Sequence, residues 1–328
     1  MNDFDREITE FRDEWLGSGD CIVARTSGST GAPRPILLPK TFVRESARRS
    51  IRHFGLDSSS TLMMSMSPQY IAAKMMIVRA CEAQCRLVAL PPSSKPALPG
   101  NLKNISLLSA VPAQIEGYAR ALAASGSPSV DHLLLGGSPL TDSQREQSVR
   151  LADNVWESYG MTETASHVAL RRVTPHTAVP FVTLEGITVS TDSRNCLIID
   201  IPGHGKTVTN DVARIRSGRE FEILGRYDNV LICGGIKVHP EAVEAALAPF
   251  FSGIGDFYVT SRSHPLWGEQ TVVVLETDTA ATAALELEMA AYIATRTSLN
   301  KAERPRCIIA VPSLERTDSG KLKRIKMQ

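Results

Sequence analysis

The 328-residue sequence has little of several things that would fix its chemistry at once. Its six cysteines (Cys21, Cys81, Cys85, Cys196, Cys233 and Cys307) form no C-x-x-C pair and share no metal-ligand spacing with the seven histidines, which argues against a zinc site and a disulfide framework. Cys81 and Cys85 stand one helical turn apart in an apolar segment, where thiols commonly serve as small apolar side chains. Neither sign of charge is in excess. Lys and Arg number 36 against 35 Asp and Glu, a net charge of +1, so the broad basic footprint of a nucleic-acid-binding protein is missing. No apolar run approaches the roughly 20 residues of a membrane-spanning helix. The opening MNDFDREITEFRDEW is acidic and amphipathic, unlike a secretory or transit peptide. These absences predict a cytoplasmic protein with no membrane span and no nucleic-acid partner. A G-x-S-x-G elbow is lacking too, which removes the serine-hydrolase reading.

What is present is a layered pattern. IVAR near residue 22, TLMMSM from Thr61, RLVAL from Arg86, ISLL from Ile105 and HLLLG from His132 have the length and composition of strands. Between them, TFVRESARRSIRHF, IAAKMMIVRACEAQ, VPAQIEGYARALAAS and TDSQREQSVRLA have helical periodicity, the last opened by a Thr141/Gln144 capping box. The alternation predicts an α/β fold: a layered sheet-and-helix N-terminal domain over residues 1–227, with a largely parallel sheet. A β-rich subdomain is expected over about 178–225. A small mobile α+β domain follows over 228–328, with a hairpin in NVLICGGIKV, a helix opened by Pro240, and an Ala-rich helix over about 282–297.

Four polar stretches invite a nucleotide. TSGSTGAPR, Thr26 to Arg34, offers glycines that let backbone N–H groups approach an anion, with hydroxyls as further donors; a plain surface loop has the same composition. It is not a P-loop, because Pro33 stands five residues after Gly28. SYGMTET follows an apparent strand. There the Tyr159 ring can stack on a purine, the Thr162 hydroxyl can meet a phosphate, and the Glu163 carboxylate can hold Mg²⁺; a solvated turn beside a core tyrosine is the alternative. Asp211 can accept ribose hydroxyls with Arg226 beside it, and Asp228 sits at the composition change, or these are a turn and a boundary ion pair. Lys321 closes ERTDSGK in a flexible polar loop, or belongs to a frayed basic tail. GHGKT at 203–207 reads as a β-turn, since Asp200 stands where a P-loop needs glycine.

Taken in order, these stretches resemble the adenylate-forming superfamily of acyl-CoA synthetases and adenylation domains over nearly the whole chain. The resemblance implies an ATP- and Mg²⁺-dependent ligase that joins a carboxylic acid to CoA through an acyl-AMP. It gives Thr26, Ser27, Gly28, Ser29, Thr30, Gly31 and Arg34 to the ATP phosphates. Gly136, Gly137 and Ser138 of LLLGGSP, with Tyr159, Gly160, Asp211 and Arg226, go to adenine and ribose. Thr162, Glu163 and Lys321 become the catalytic residues, with Glu163 also the metal ligand, Asp228 the hinge, and Gly234 and Gly235 the CoA side.

SPQYIAAKMMIVRA and SYGMTETASHVALRR most resemble the o-succinylbenzoate–CoA ligases of menaquinone biosynthesis. That likeness makes Tyr70, Lys74, Arg79 and His167 candidates to face the acid, a cation among them pairing with its spare carboxylate. There are departures. Arg34 replaces the usual lysine, Ala72 and Ala73 stand where glycine is commoner, and the phosphate loop begins at residue 26, which implies a shortened N-terminus. A homodimer partner could then wall the acyl pocket. The rivals are an adenylating ligase for another aromatic or fatty acid or for a carrier-protein thiol, and a nucleotide-binding protein without chemistry.

Overall fold

Apolar runs too short for helices become a parallel sheet. In the computed structural model, which describes residues 2–25, 34–100, 102–175, 179–265, 268–277, 282–316, 322–325 and 327, these are β3 (Thr61–Met64), β4 (Arg86–Ala89), β5 (Asn104–Ala110), β6 (Ser129–Leu135) and β7 (Asn154–Gly160). They lie in the order β4-β3-β5-β6-β7 with every neighbouring pair parallel. Side chains on both faces are buried, so Leu62–Met64 and Leu133–Leu135 show no polar alternation. β8 (His167–Arg172) then reverses the direction on β7, and β9 (Phe181–Thr183) reverses it again. Glu220 and Phe221 pair with β9 in turn.

Helices cover both faces. On one side α4 (Ile115–Ala124) packs Ile115 and Tyr118 against Ile105, Leu108 and Leu133. α2 (Lys40–Phe54) and α3 (Ile71–Ala83) pack together, with Met75, Met76 and Ile77 almost wholly buried. Each such side chain contributes roughly 1.5–3 kcal/mol by leaving water. α1 (Asp3–Leu16) is capped by Asn2, whose side chain accepts from the Asp5 N–H at 2.8 Å, and it buries Phe11 and Trp15. Lys40 satisfies its far end by donating to the carbonyls of Glu14 and Gly17 at 2.5 and 2.8 Å.

The chain divides into two compact units, and these elements belong to the first: Met1–Val189, Ile199–Thr207 and Arg216–Phe221. The second comprises Ser190–Ile198, Val208–Ile215 and Glu222–Gln328. Its three-stranded sheet runs β16 (Phe257–His264), β17 (Gly268–Glu276) and β18 (Ile308–Val311), the first pair antiparallel and the second parallel. α6 (Pro240–Phe251), which has Pro240 in its first turn, and α7 (Thr282–Arg296) bury Val243, Leu247, Met289 and Ile293 against it. The hairpin β14 (Leu231–Cys233) and β15 (Ile236–Val238) turns at Gly234 and Gly235, both with positive φ.

Two strands escape the sequence pattern. PILLP is bracketed by prolines and looks like a loop, yet it forms β2 (Pro35–Pro39), antiparallel to β1 (Cys21–Arg25), a two-stranded ladder that tolerates proline at its ends. HVALRR, quoted above for its polar neighbours, is β8. The GHGKT turn is confined to 202–204; Gly205 already starts β12 (Gly205–Ile215), while His204 stacks on Phe42 with ring centroids 3.7 Å apart. No helix among the described residues is long and apolar enough to cross a membrane.

The tightest glycine in α4 gives a test of this packing. A Cβ on Gly117 would stand 1.9 Å from the Ser94 carbonyl oxygen, whereas one on Gly19 would meet nothing within 4 Å. Gly117→Ala should therefore lower the unfolding free energy in urea by about 2 kcal/mol or more, with Gly19→Ala close to neutral.

Candidate active site

In the first unit the carboxyl ends of β5, β6 and β7 share one edge, where ligands gather in open α/β sheets. Two loops meet the requirements of that edge. Gly136, Gly137 and Ser138 follow β6, with Gly137 at φ +96°. A Cβ on Gly136 would lie 2.6 Å from Ser158 Oγ, which itself donates to the Leu135 carbonyl at 2.9 Å. Tyr159 and Gly160 end β7 at a bulge, where a Cβ on Gly160 would lie 2.3 Å from the Ser166 carbonyl oxygen and 2.5 Å from His167 Cα. Only glycine fits there, and this close approach throws Met161–Thr164 outward as a 3₁₀ turn ending in Ala165 at φ 60°.

That turn exposes Glu163 and buries Thr162, whose hydroxyl donates to the Arg25 carbonyl at 3.3 Å. Arg25 is the last residue of β1, and the β1–β2 ladder pairs it with Pro35. Arg25, the residue before Thr26, is thus tied to the Thr162 turn, and Arg34 is exposed. Thr26, Ser27, Gly28, Ser29, Thr30 and Gly31 themselves lie outside the described residues, as does Lys321. The half-buried Tyr159 ring is wedged against Phe221 and Phe181 at 5.2 and 5.8 Å, leaving the loop after it at the sheet edge. Beneath it, Glu157 is 5 % exposed and bridges Arg171 at 2.8 Å and Arg145 at 3.4 Å, locking β7 to β8 and to α5 (Asp142–Ser148).

The four residues expected to face an acid part company. Tyr70 is exposed. Lys74 stands 3.9 Å from the centroid of the Phe11 ring on α1, its pKa lowered by burial. Arg79 and His167 are joined. Arg79 is 2 % exposed and donates to Ser166 Oγ at 2.6 Å and to His167 Nδ1 at 3.4 Å. A guanidinium only donates, so Nδ1 accepts and Nε2–H faces Ser50 Oγ at 3.0 Å. Burial, with Arg79 and His53 adding to it, holds the His167 pKa well below its usual value. Burial also brings Arg79 down to about 9. Among the described residues no carboxylate lies within ion-pair distance of Arg79, and its Nε has no partner at all. Ser50 and Ser166 are the partners the sequence did not reveal; Ser166 lay in the quoted SYGMTETASH stretch without a role.

The second unit brings its own predicted residues together. Asp211 Oδ1 accepts from Arg226 at 3.2 Å, Arg226 also reaches Asp228 at 3.0 Å, and Asn210 donates to Asp228 at 3.2 Å. Gly234 lies on a cavity of about 170 Å³ that Lys301, Arg304 and Arg306 also line.

The AMP-binding enzyme family matches residues 9–201. The chain belongs to it. Similar relatives include a probable 2-succinylbenzoate–CoA ligase from Mycobacterium tuberculosis, 28% identical over 71% of this chain. Another is the 2-succinylbenzoate–CoA ligase of Listeria monocytogenes, 23% identical over 99%. The chain spans 65% of the length of the first and 73% of the second. Among solved structures, an acyl-CoA synthetase (AMP-forming)/AMP-acid ligase II-like protein from Dyadobacter fermentans is 30% identical, with a TM-score of 0.62 over 98% of this chain and 92% of its own. The o-succinylbenzoate–CoA synthetase of Bacillus subtilis, solved with ATP and magnesium, shares the α/β fold at a TM-score of 0.72 and 18% identity, over 92% of this chain and 68% of its own.

The neutral His167 has a thermodynamic consequence. An unfolded histidine takes up a proton near pH 6.5, while the buried ring does not, so the unfolded state binds more protons and stability falls as the pH drops below about 6.5. His53 and His132, also lowered chiefly by burial, add in the same direction. Between pH 7.5 and 5.5 urea unfolding should show a loss that His167→Gln reduces by about 1 kcal/mol; an unchanged loss in that variant contradicts the assignment.

Proposed function

We propose that the chain is an ATP-dependent carboxylate–CoA ligase acting through an acyl-AMP, and that its acid is o-succinylbenzoate. The observation that carries the substrate class is the Arg79 guanidinium, buried without a carboxylate partner among the described residues and with its Nε unsatisfied. Burying such a charge unpaired costs several kcal/mol. A dicarboxylate offsets that cost with one carboxylate on Arg79 and leaves the other for activation. A monoacid leaves the guanidinium unpaired. The 2-succinylbenzoate–CoA ligase relatives support the same choice.

In the first step the acid's carboxylate attacks the α-phosphorus of ATP and releases pyrophosphate. An anion must approach a polyanion, and two like unit charges about 4 Å apart repel by about 4 kcal/mol at an effective dielectric near 20. The Thr26–Gly31 loop, anchored through Arg25, supplies donors to the β- and γ-phosphates, with Arg34 at its end. Gly136–Ser138 and Tyr159 line the adenine, Asp211 with Arg226 takes the ribose, and Lys321 bridges the incoming carboxylate and the α-phosphate.

Among the described residues no cluster of three acidic, histidine or cysteine side chains forms a metal cage. The exposed Glu163 carboxylate fits Mg²⁺, which favours one or two carboxylates plus substrate phosphates. Bound there, the ion would neutralise phosphate charge.

In the second step a thiol displaces AMP. The domain from residue 228 onward turns about Asp228, withdrawing Lys321 and presenting the Gly234–Gly235 turn to the pantetheine arm. Lys301, Arg304 and Arg306 beside that turn suit the phosphates of CoA.

Two experiments test this. With ATP and Mg²⁺, pyrophosphate release should favour o-succinylbenzoate over benzoate and medium-chain acids. Arg79→Met should cut kcat/KM for the diacid about 10²–10³-fold, the equivalent of a broken buried ion pair, while sparing benzoate. Preference for a monoacid rejects the substrate. Lys321→Ala should abolish acyl-AMP formation and spare thioester formation from supplied acyl-AMP; equal loss of both steps argues against the two-pose mechanism.

A further inference from the structure

A second cavity in the first unit, of about 500 Å³, lies between the last turns of α2 and the strands β7, β8 and β9. None of the residues given to the acid above lines it. Five arginines do, against the single carboxylate of Glu185. Four of them are satisfied by the protein. Arg52 pairs with Glu185 at 2.8 Å and Arg171 with Glu157 at 2.8 Å. Arg172 donates to the Asp153 carbonyl at 2.8 Å and lies over the Trp156 ring, and Arg219 donates to the Thr183 carbonyl at 2.8 Å.

Arg49 is different. It is only 8 % exposed, yet among the described residues its guanidinium has neither a hydrogen bond nor an ion pair. Burial lowers its pKa, with Arg52 opposing the charge and Glu45 and Glu185 favouring it. Its N–H groups have no acceptor from the protein and open onto a cavity of ligand size, where an anion can accept from them. The rest of the wall fixes the body of that anion. Leu170, Val182 and Leu184, with the Trp156 ring, supply an apolar surface that inorganic phosphate would leave wet.

We propose that this cavity is a second ligand site, for a small carboxylate with an apolar body, its carboxylate on Arg49 and its body against Trp156, Leu170 and Val182. The site stands independently of the ligase reading. Ser50, the next residue on α2, contacts His167 instead of the cavity.

Calorimetric titration of the full chain without ATP tests it, with 2-naphthoate as probe, 2-naphthamide as its neutral isostere and inorganic phosphate as the bare anion. Naphthoate should bind at submillimolar concentration to the protein and equally to Arg79→Met, and at least about tenfold more weakly to Arg49→Met. Arg49→Lys should recover part of the affinity. Val182→Glu, at an exposed position on the opposite wall, should abolish binding by bringing a carboxylate to Arg49. Without ligand, Arg49→Met should melt no lower than the parent, because Arg49 makes no hydrogen bond or ion pair among the described residues; a structural arginine would cost melting temperature. Binding lost in Arg79→Met but kept in Arg49→Met would overturn the proposal by assigning the probe to the first site. Equal binding of the amide, equally tight phosphate, or no binding would each overturn it too.

Discussion

The first unit is organised by one close approach, the backbone of Gly160 against Ser166 and His167. β7 arrives parallel to β6 and β8 leaves antiparallel, and the chain reverses in the turn that follows the bulge between Tyr159 and Gly160. Any side chain at 160 would collide with the next strand. Because none is there, the intervening turn projects from the sheet edge with Glu163 outward and Thr162 against β1, while His167 enters the space under α2. One backbone contact therefore sets the Thr162–Thr164 turn above and the Arg79–His167 pair below.

That pair shows how the fold keeps a charge where water would be cheaper. Arg79 enters on α3 among Met75, Met76 and Val78, a helix face otherwise made for packing. It is retained by two neutral acceptors, Ser166 Oγ and His167 Nδ1, and by the soft sulfur of Met76 at 3.7 Å. Neutral acceptors orient a guanidinium without cancelling its charge. Burial forces His167 to stay neutral, and a neutral ring is the state that can accept from Arg79. The arrangement holds a guanidinium in a dry place on neutral partners alone among the described residues. Arg49, on α2, instead lines an open cavity.

The second unit treats its charges in the opposite way. Asp211, Arg226, Asp228 and Asn210 form one chain of contacts, and Arg324 closes on Glu244. Glu244 is pushed up by burial and drawn back by Arg324, so that pair joins the chain's last residues to α6. These charges are partnered within the unit.

The alternation of short apolar runs with helical periodicity determined the layered α/β class, because a strand buried on both faces admits nothing but apolar residues and a helix repeats every 3.6. The order of glycine- and hydroxyl-rich stretches determined the family for a similar reason: backbone approach to phosphates demands those residues in sequence, and they are local. β2 stayed hidden because its prolines are tolerated only at the ends of a two-stranded ladder that no local pattern announces. Tertiary structure alone decided which cations have partners. Lys74, Arg79 and His167 look alike along the chain, yet α1 brings Phe11 to Lys74, the start of β8 brings Ser166 and His167 to Arg79, and no carboxylate among the described residues reaches ion-pair distance of Arg79. Partnership between charges is a matter of distance across elements, and sequence separation carries no information about it.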